Sequence, residues 1–164
     1  MIALKSILVA TDFGEASAAA LAYGRELARA FHGTLHVLNV ADDVYVRLGG
    51  DGYVAALPDL QHDIEDAARR QLETLLIDND PTPLPVKTAV ITSSATAASI
   101  VQYARDLDID LIIVGTHGRG AVAHLLMGSV AERVVRTASC PVLTVRHPER
   151  EFVLPDALTT TTRA

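Results

Sequence analysis

The chain has 164 residues, the size of one ordinary domain; 49% of them are apolar, aromatics are few and tryptophan is absent. A core must therefore come from Ala, Val, Leu and Ile, which excludes disorder along the whole length and suits helices packed on a parallel sheet. A formal net charge of −6 with scattered Lys and Arg leaves no basic footprint and argues against nucleic acid as a partner.

The N-terminal apolar run is short, and none in the chain approaches the roughly 18 residues that span a bilayer. The chain reads as soluble and cytoplasmic, with no membrane partner. Ser6-Ile7-Leu8-Val9-Ala10-Thr11 predicts a first strand, closed by Asp12-Phe13-Gly14. Ala20, Gly24, Leu27, Ala28 and Phe31 then make one stripe of a helix, with His32-Gly33 as its stop. Thr34 to Val40 predicts a second, parallel strand. From Ala41 to Pro58 the pattern dissolves into a loop too long to be a mere connector. A second helix over Asp59–Ile77 has Leu60, Ile64, Ala68, Leu72 and Leu75 on one face, and Asp78-Asn79-Asp80-Pro81 breaks it.

Val86 to Ile91 predicts a third strand. A third helix, Ala95 to Leu107, buries Ala97, Ile100, Ala104 and Leu107, with Ser93 or Ser94 as its cap. Leu111 to Val114 is the fourth strand. Beyond a glycine-rich stretch, Ser129 to Thr137 predicts a short helix with Val130, Val134 and Val135 on one side, and Pro141 to Val145 a fifth strand. Cys140, the single cysteine, has no companion for a disulfide, redox pair or metal and reads as a small buried hydrophobe. The residues from His147 lack periodicity, which gives one domain over 1–147 and a flexible tail over 148–164.

Alternating strands and helices imply a single doubly wound five-stranded α/β parallel sheet with helices on both faces. In such sheets ligands bind beyond the carboxyl ends of the strands, where strand order reverses. In the order 3-2-1-4-5, the ends of strands one and four, Asp12 and Gly115, are neighbours there.

The stretch between them and the last helix, GTHGRGAVAHLLMGS, carries Gly115, Gly118, Gly120 and Gly128. Glycine is costly in such a place, and its usual reasons are a tight turn or close approach to a ligand. Gly118-Arg119-Gly120 with Ala123 formally matches the dinucleotide fingerprint, but it follows the fourth strand and has no acidic residue about twenty positions on. The phosphate loop GxxxxGK[ST] is absent, which excludes a Walker-type ATPase.

Spaced differently, the glycines read G-x2-G-x9-G-[ST] at Gly115, Gly118 and Gly128-Ser129. With Ile7 to Asp12 and Cys140 to Val145, this motif resembles the ATP-binding members of the universal stress protein family, over residues 2 to about 147. The resemblance implies the 3-2-1-4-5 sheet, a homodimer, and ATP as cofactor, with or without Mg2+. It implies that Asp12 contacts ribose, that Ala10 and Val40 flank adenine beside Thr11, and that Gly115, Thr116 and Gly118 turn backbone toward phosphates. Gly128-Ser129, with Val130, opens a helix whose N-terminus carries about half a positive charge.

Arg119 has the chemistry to fork onto phosphate. His117 is a phosphate contact or a solvated loop residue, and His124 reads as packing. Asp12 could also simply close a turn. Thr92-Ser93-Ser94-Ala95 departs from the glycine and acidic residue that the family often carries after the third strand.

With no Walker lysine, no paired carboxylates and no base beyond Asp12, no catalytic or metal residue is assigned. The expectation is an ATP-binding stress-response protein, a regulatory or protective module with at most slow hydrolysis. The alternative is a nucleotide-free dimeric interaction module. Nucleotidyl transferases and ATP pyrophosphatases would require HxGH or SGGxDS after the first strand, where neither stands, and a flavodoxin-like carrier lacks aromatics to stack on flavin. The apolar edge strand Val142 to Val145 is the expected dimer contact.

Overall fold

The computed structural model describes residues 2–47, 57–76, 83–116 and 128–147. Within them lie β1 (Ser6–Ala10), α1 (Glu15–Phe31), β2 (Thr34–Ala41), α2 (Val44–Arg47), α3 (Leu57–Leu75) and β3 (Val86–Thr92), then α4 (Thr96–Asp106), β4 (Leu111–Gly115), α5 (Ser129–Thr137) and β5 (Val142–Val145). The strands form one sheet in the order β3-β2-β1-β4-β5, every pair parallel. The tail over 148–164 and residues 48–56 of the long connection lie outside the described residues.

The sheet separates two apolar layers. Ile7, Val9, Leu35, Val37 and Ile113 face α1 and α3, where Ala20, Leu21, Ala28 and Leu72 meet them. Leu8, Leu38, Ile112 and Val114 face α4 and α5, through Ala97, Ile100, Val101, Ala104, Ala131 and Val134. Small residues let α1 lie close: a Cβ on Gly24 would stand 2.4 Å from Val9 Cγ2. His36, buried at 2% exposure, points to the α4 side, where its Nδ1 lies 3.1 Å from the Tyr103 hydroxyl and the rings meet edge to face.

Several local expectations are corrected. The 41–58 segment is not loop throughout: β2 runs on to Ala41, α2 forms within it and α3 already begins at Leu57. Gln61 organises this corner, its Oε1 accepting from Val44 N (3.0 Å) and its Nε2 donating to the Asp42 carbonyl (3.2 Å). Leu107 is 43% exposed because α4 ends at Asp106, and Ile109 takes the buried place. Leu60 and Phe31, at helix ends, are exposed too. In α5 the sheet takes Ala131 and Val134, so Val130 and Val135 face outward.

The stop after α1 stands where expected but with roles exchanged. His32, not Gly33, takes the left-handed conformation (φ 54°, ψ 37°), while a Cβ on Gly33 would lie 2.6 Å from the Leu4 carbonyl oxygen. Neither Ser93 nor Ser94 caps α4: Ala95 holds the N-cap position, and Ser93 Oγ accepts from Ala95 N one step earlier (3.0 Å). Pro141 stands just outside β5. Cys140 is half-buried and packs against the α4–α5 layer. Burial pushes its thiol above the usual range, which disfavours the nucleophilic thiolate.

Candidate functional site at the strand-order reversal

β1 connects through α1 to β2 on one side, while its other neighbour is β4, so the order reverses between β1 and β4. Ala10 pairs with Val114, so Thr11-Asp12 beyond β1 and Gly115-Thr116 at the end of β4 are neighbours at the carboxyl edge of the sheet. Ala10 pairs with Leu38 on its other flank, which sets Val40 just beyond at the end of β2. The side chain between them locks that corner: buried Asn39 donates from Nδ2 to the Thr11 carbonyl (2.8 Å).

The turn from β1 into α1 is built by its own side chains. Ser17 Oγ donates to the Gly14 carbonyl (2.9 Å) and lies 3.0 Å from Thr11 Oγ1. Each hydroxyl has one proton, so Thr11 donates to Ser17, and Thr11 Oγ1 in turn accepts from Phe13 N (3.0 Å). The Thr11 hydroxyl is thus used within the loop. Asp12 Oδ1 accepts from Gly14 N (3.0 Å), an Asx turn. Between these bonds Phe13 is held at φ 64°, a left-handed conformation unusual for an aromatic residue and costing of order 1–3 kcal/mol.

Gly115 answers a packing demand at the end of β4. A Cβ there would lie 2.8 Å from the Ala16 carbonyl carbon and 2.9 Å from both Ala16 Cβ and its oxygen. The glycine lets the first turn of α1 press on the end of β4. Buried Thr116 donates its N–H to the Val145 carbonyl (2.7 Å) and accepts from Gly128 N. The two ends of the 117–127 stretch are therefore bonded together. Of the expected site, His117, Gly118 and Arg119, and His124 with them, lie outside the described residues.

Gly128 starts α5 from φ −70°, ψ 152°, extended backbone open to any residue, so the positive φ that could have required glycine is not there. Ser129 and Val130 are exposed at the helix start. They form one end of an open cleft of about 670 Å3, whose facing wall is the Ser94–Ala97 segment at the start of α4 and whose α5 wall continues through Arg133, Arg136 and Thr137. Sequence reasoning missed that α5 wall and the supporting Ser17 and Asn39. A three- to four-residue spacing from Ser129 to Arg133 was the available signal for the first.

Among the described residues no group of three His, Cys, Asp or Glu could hold a metal ion, and no helix is long and apolar enough to cross a membrane.

Comparison with known proteins fits this geometry. The family model described as universal stress protein family matches residues 3–146. A universal stress protein of Thermus aquaticus is 33% identical over 142 residues, 87% of this chain and 98% of that one. Universal stress protein A homolog 1 of Coxiella burnetii is 32% identical over 141 residues, 86% of this chain and 95% of the other. Among solved structures, MJ0577 of Methanocaldococcus jannaschii superposes with a TM-score of 0.75 at 25% identity, covering 91% of this chain and 100% of its own.

Two more distant structures share the fold. One is a universal stress protein in complex with cAMP (TM-score 0.58, 19% identity; 88% of this chain, 98% of that one). The other is the Archaeoglobus fulgidus protein in complex with dAMP (0.53, 18%; 88% and 99%). With the family model spanning both strand ends of the reversal and the opening of α5, the chain belongs to the universal stress protein family.

Proposed function

We propose that this stress protein binds ATP at the β1–β4 reversal and acts as a nucleotide-dependent regulatory or protective module, hydrolysing ATP slowly at most. The observation that carries the reading is the convergence there of three groups: the Asp12 turn, the end of β4, and the opening of α5, joined to β4 through the bond from Gly128 N to the Thr116 carbonyl. A half-buried carboxylate suits two ribose hydroxyls, and exposed amides at a helix start suit phosphate. Ala10 and Val40 stand at the flanking strand ends, small enough to lie against an adenine ring. Relatives of the same fold carry adenine nucleotides, one cAMP and one dAMP. The companion proposals are a cytoplasmic location and a homodimer through the edge of β5.

One observation favours the nucleotide-free interaction module instead. Gly115 is accounted for by Ala16, and Gly128 has ordinary backbone angles, so neither glycine needs a ligand to explain it. The experiment that separates the two is to denature freshly purified protein, look for released adenine nucleotide, and titrate ATP by calorimetry. Release, or saturable heat abolished by Asp12→Ala, is expected. No nucleotide released and no heat at millimolar ATP would leave the interaction module.

A further inference from the structure

The α4–α5 cleft extends beyond the residues assigned above to the nucleotide. Ser129 and Val130 stand at its head, and Arg133 lines the same wall one turn along α5. Glu132 is the acidic side chain of the lining, and it is engaged by Arg136 at 2.8 Å. Among the described residues Arg133 has no ion pair. The cleft therefore carries net positive charge, and Arg133 is its source.

Direction follows from helix geometry. Side chains on an α-helix lean toward its N-terminus, over the preceding turn. From Ser129 to Arg133 the axis rises only about 6 Å, so the Arg133 side chain leaves the helix on the Ser129 face, over the turn where α5 opens. The helix start contributes roughly half a charge within its first turn, enough to favour one phosphate group but not to neutralise a triphosphate. Arginine supplies a full, permanent charge in a planar fork that matches phosphate oxygens. Across the cleft, Ser94 offers a hydroxyl from the β3–α4 connection, within the Thr92-Ser93-Ser94-Ala95 stretch, and Thr96 a second from the first residue of α4.

Resting on the nucleotide reading of this end of the sheet, we propose that Arg133 is a specificity-determining residue that recognises the terminal phosphates. The α4–α5 cleft then receives the distal part of the polyphosphate, and the protein takes adenosine triphosphate in preference to the monophosphate.

The test is calorimetric titration of full-length wild type, Arg133→Ala and Arg133→Lys with ATP and, separately, AMP in the same buffer. Arg133 is exposed, so the variants should fold as wild type, which thermal unfolding checks; Arg133→Gln replaces the alanine variant if it does not. Arg133→Ala should weaken ATP by about tenfold, the scale of one charge-assisted hydrogen bond, and leave AMP unchanged. The lysine variant, with charge but no fork, should fall between. Equal losses for ATP and AMP, or no loss for either, would overturn the role of Arg133 while leaving the nucleotide reading intact. A wild type that binds neither nucleotide would overturn both.

Discussion

Replacing Gly115 by alanine tests why the end of β4 is glycine. The added Cβ would meet the Ala16 carbonyl carbon at 2.8 Å, with the Ala16 oxygen and Cβ at 2.9 Å. Two of these three are backbone atoms, which no rotamer change can remove. Ordinary contact begins at 3.4 Å, so the first turn of α1 must retreat from β4 by about 0.6 Å, in an interior packed as densely as an organic crystal. Overpacking on this scale costs about 1–3 kcal/mol. The alanine also removes freedom from the unfolded chain, which offsets about 0.4–1 kcal/mol. A net loss of about 1–2 kcal/mol should lower the melting temperature by several degrees, at about 2–4 °C per kcal/mol for a chain of this size.

The assay is urea and thermal unfolding followed by circular dichroism, for Gly115→Ala, Ala16→Gly and the double variant. Because Ala16→Gly relieves only the Cβ contact, the double variant should recover part of the loss, with a coupling of at least about 0.5 kcal/mol. A Gly115→Ala protein as stable as wild type, or strictly additive losses, would refute the close-packing account and return Gly115 to the phosphates.

Three further outcomes are expected. Burial, and then the nearby Lys87 charge, hold His36 below its ordinary 6.5, with Tyr103 and Lys87 the titratable groups facing it. The unfolded chain therefore binds the extra proton first, and stability should fall as pH drops below about 6.5. In His36→Gln the loss in urea midpoint between pH 7.5 and 5.5 should shrink, and an identical pH dependence would contradict this. Asn39→Ala leaves the Thr11 carbonyl without its 2.8 Å donor and should cost about 1–3 kcal/mol while weakening ATP in the same titration; unaltered stability would show that the bond is replaced. On β5 the Pro141 and Val145 carbonyls accept from β4 and its extension, so by alternation the Thr144 N–H points to the open edge. Thr144→Pro should give monomers in sedimentation, and an unchanged dimer would place the interface elsewhere.

The fold was legible because its strands are apolar runs and its helices apolar stripes, and both periods are local. What escaped depends on contacts between distant residues. α2 is a single turn, too short for a period, and Gln61 is buried only because Val44 and Asp42 satisfy its amide. The sequence pattern marks Thr92 only as part of a loop departing from the family pattern, yet its hydroxyl donates to Glu65 Oε1 (2.6 Å), the main reason that carboxyl sits below its usual range. In α5 the valine stripe placed Val134 rightly, but Ala131 and not Val130 or Val135 joins it against the sheet. At the site, the motif correctly marked the meeting of strand ends, but its spacing says nothing of reasons. The demand on Gly115 comes from Ala16, a residue far away in sequence.

Those same contacts bear on how a bound ligand could regulate anything. Asp12 is bonded to Gly14, Gly14 to Ser17, and the α1 turn carrying Ala16 and Ser17 presses on Gly115. Thr116 follows and is bonded both to Gly128 at the head of α5 and to Val145 at the end of the edge strand. A continuous run of packed and hydrogen-bonded groups thus joins the proposed ribose contact to the proposed dimer edge. Contiguity becomes coupling only if the two events favour the same arrangement of that run. The strained Phe13, held by Thr11 and the Asp12 turn, is the point where a second arrangement would release energy. Linkage then fixes the quantitative relation: whatever factor nucleotide adds to β5 pairing, pairing must add to nucleotide affinity. Coupling of that kind would let a module of this fold regulate without turnover, since a difference in affinity between assembled and dispersed forms is all that linkage requires.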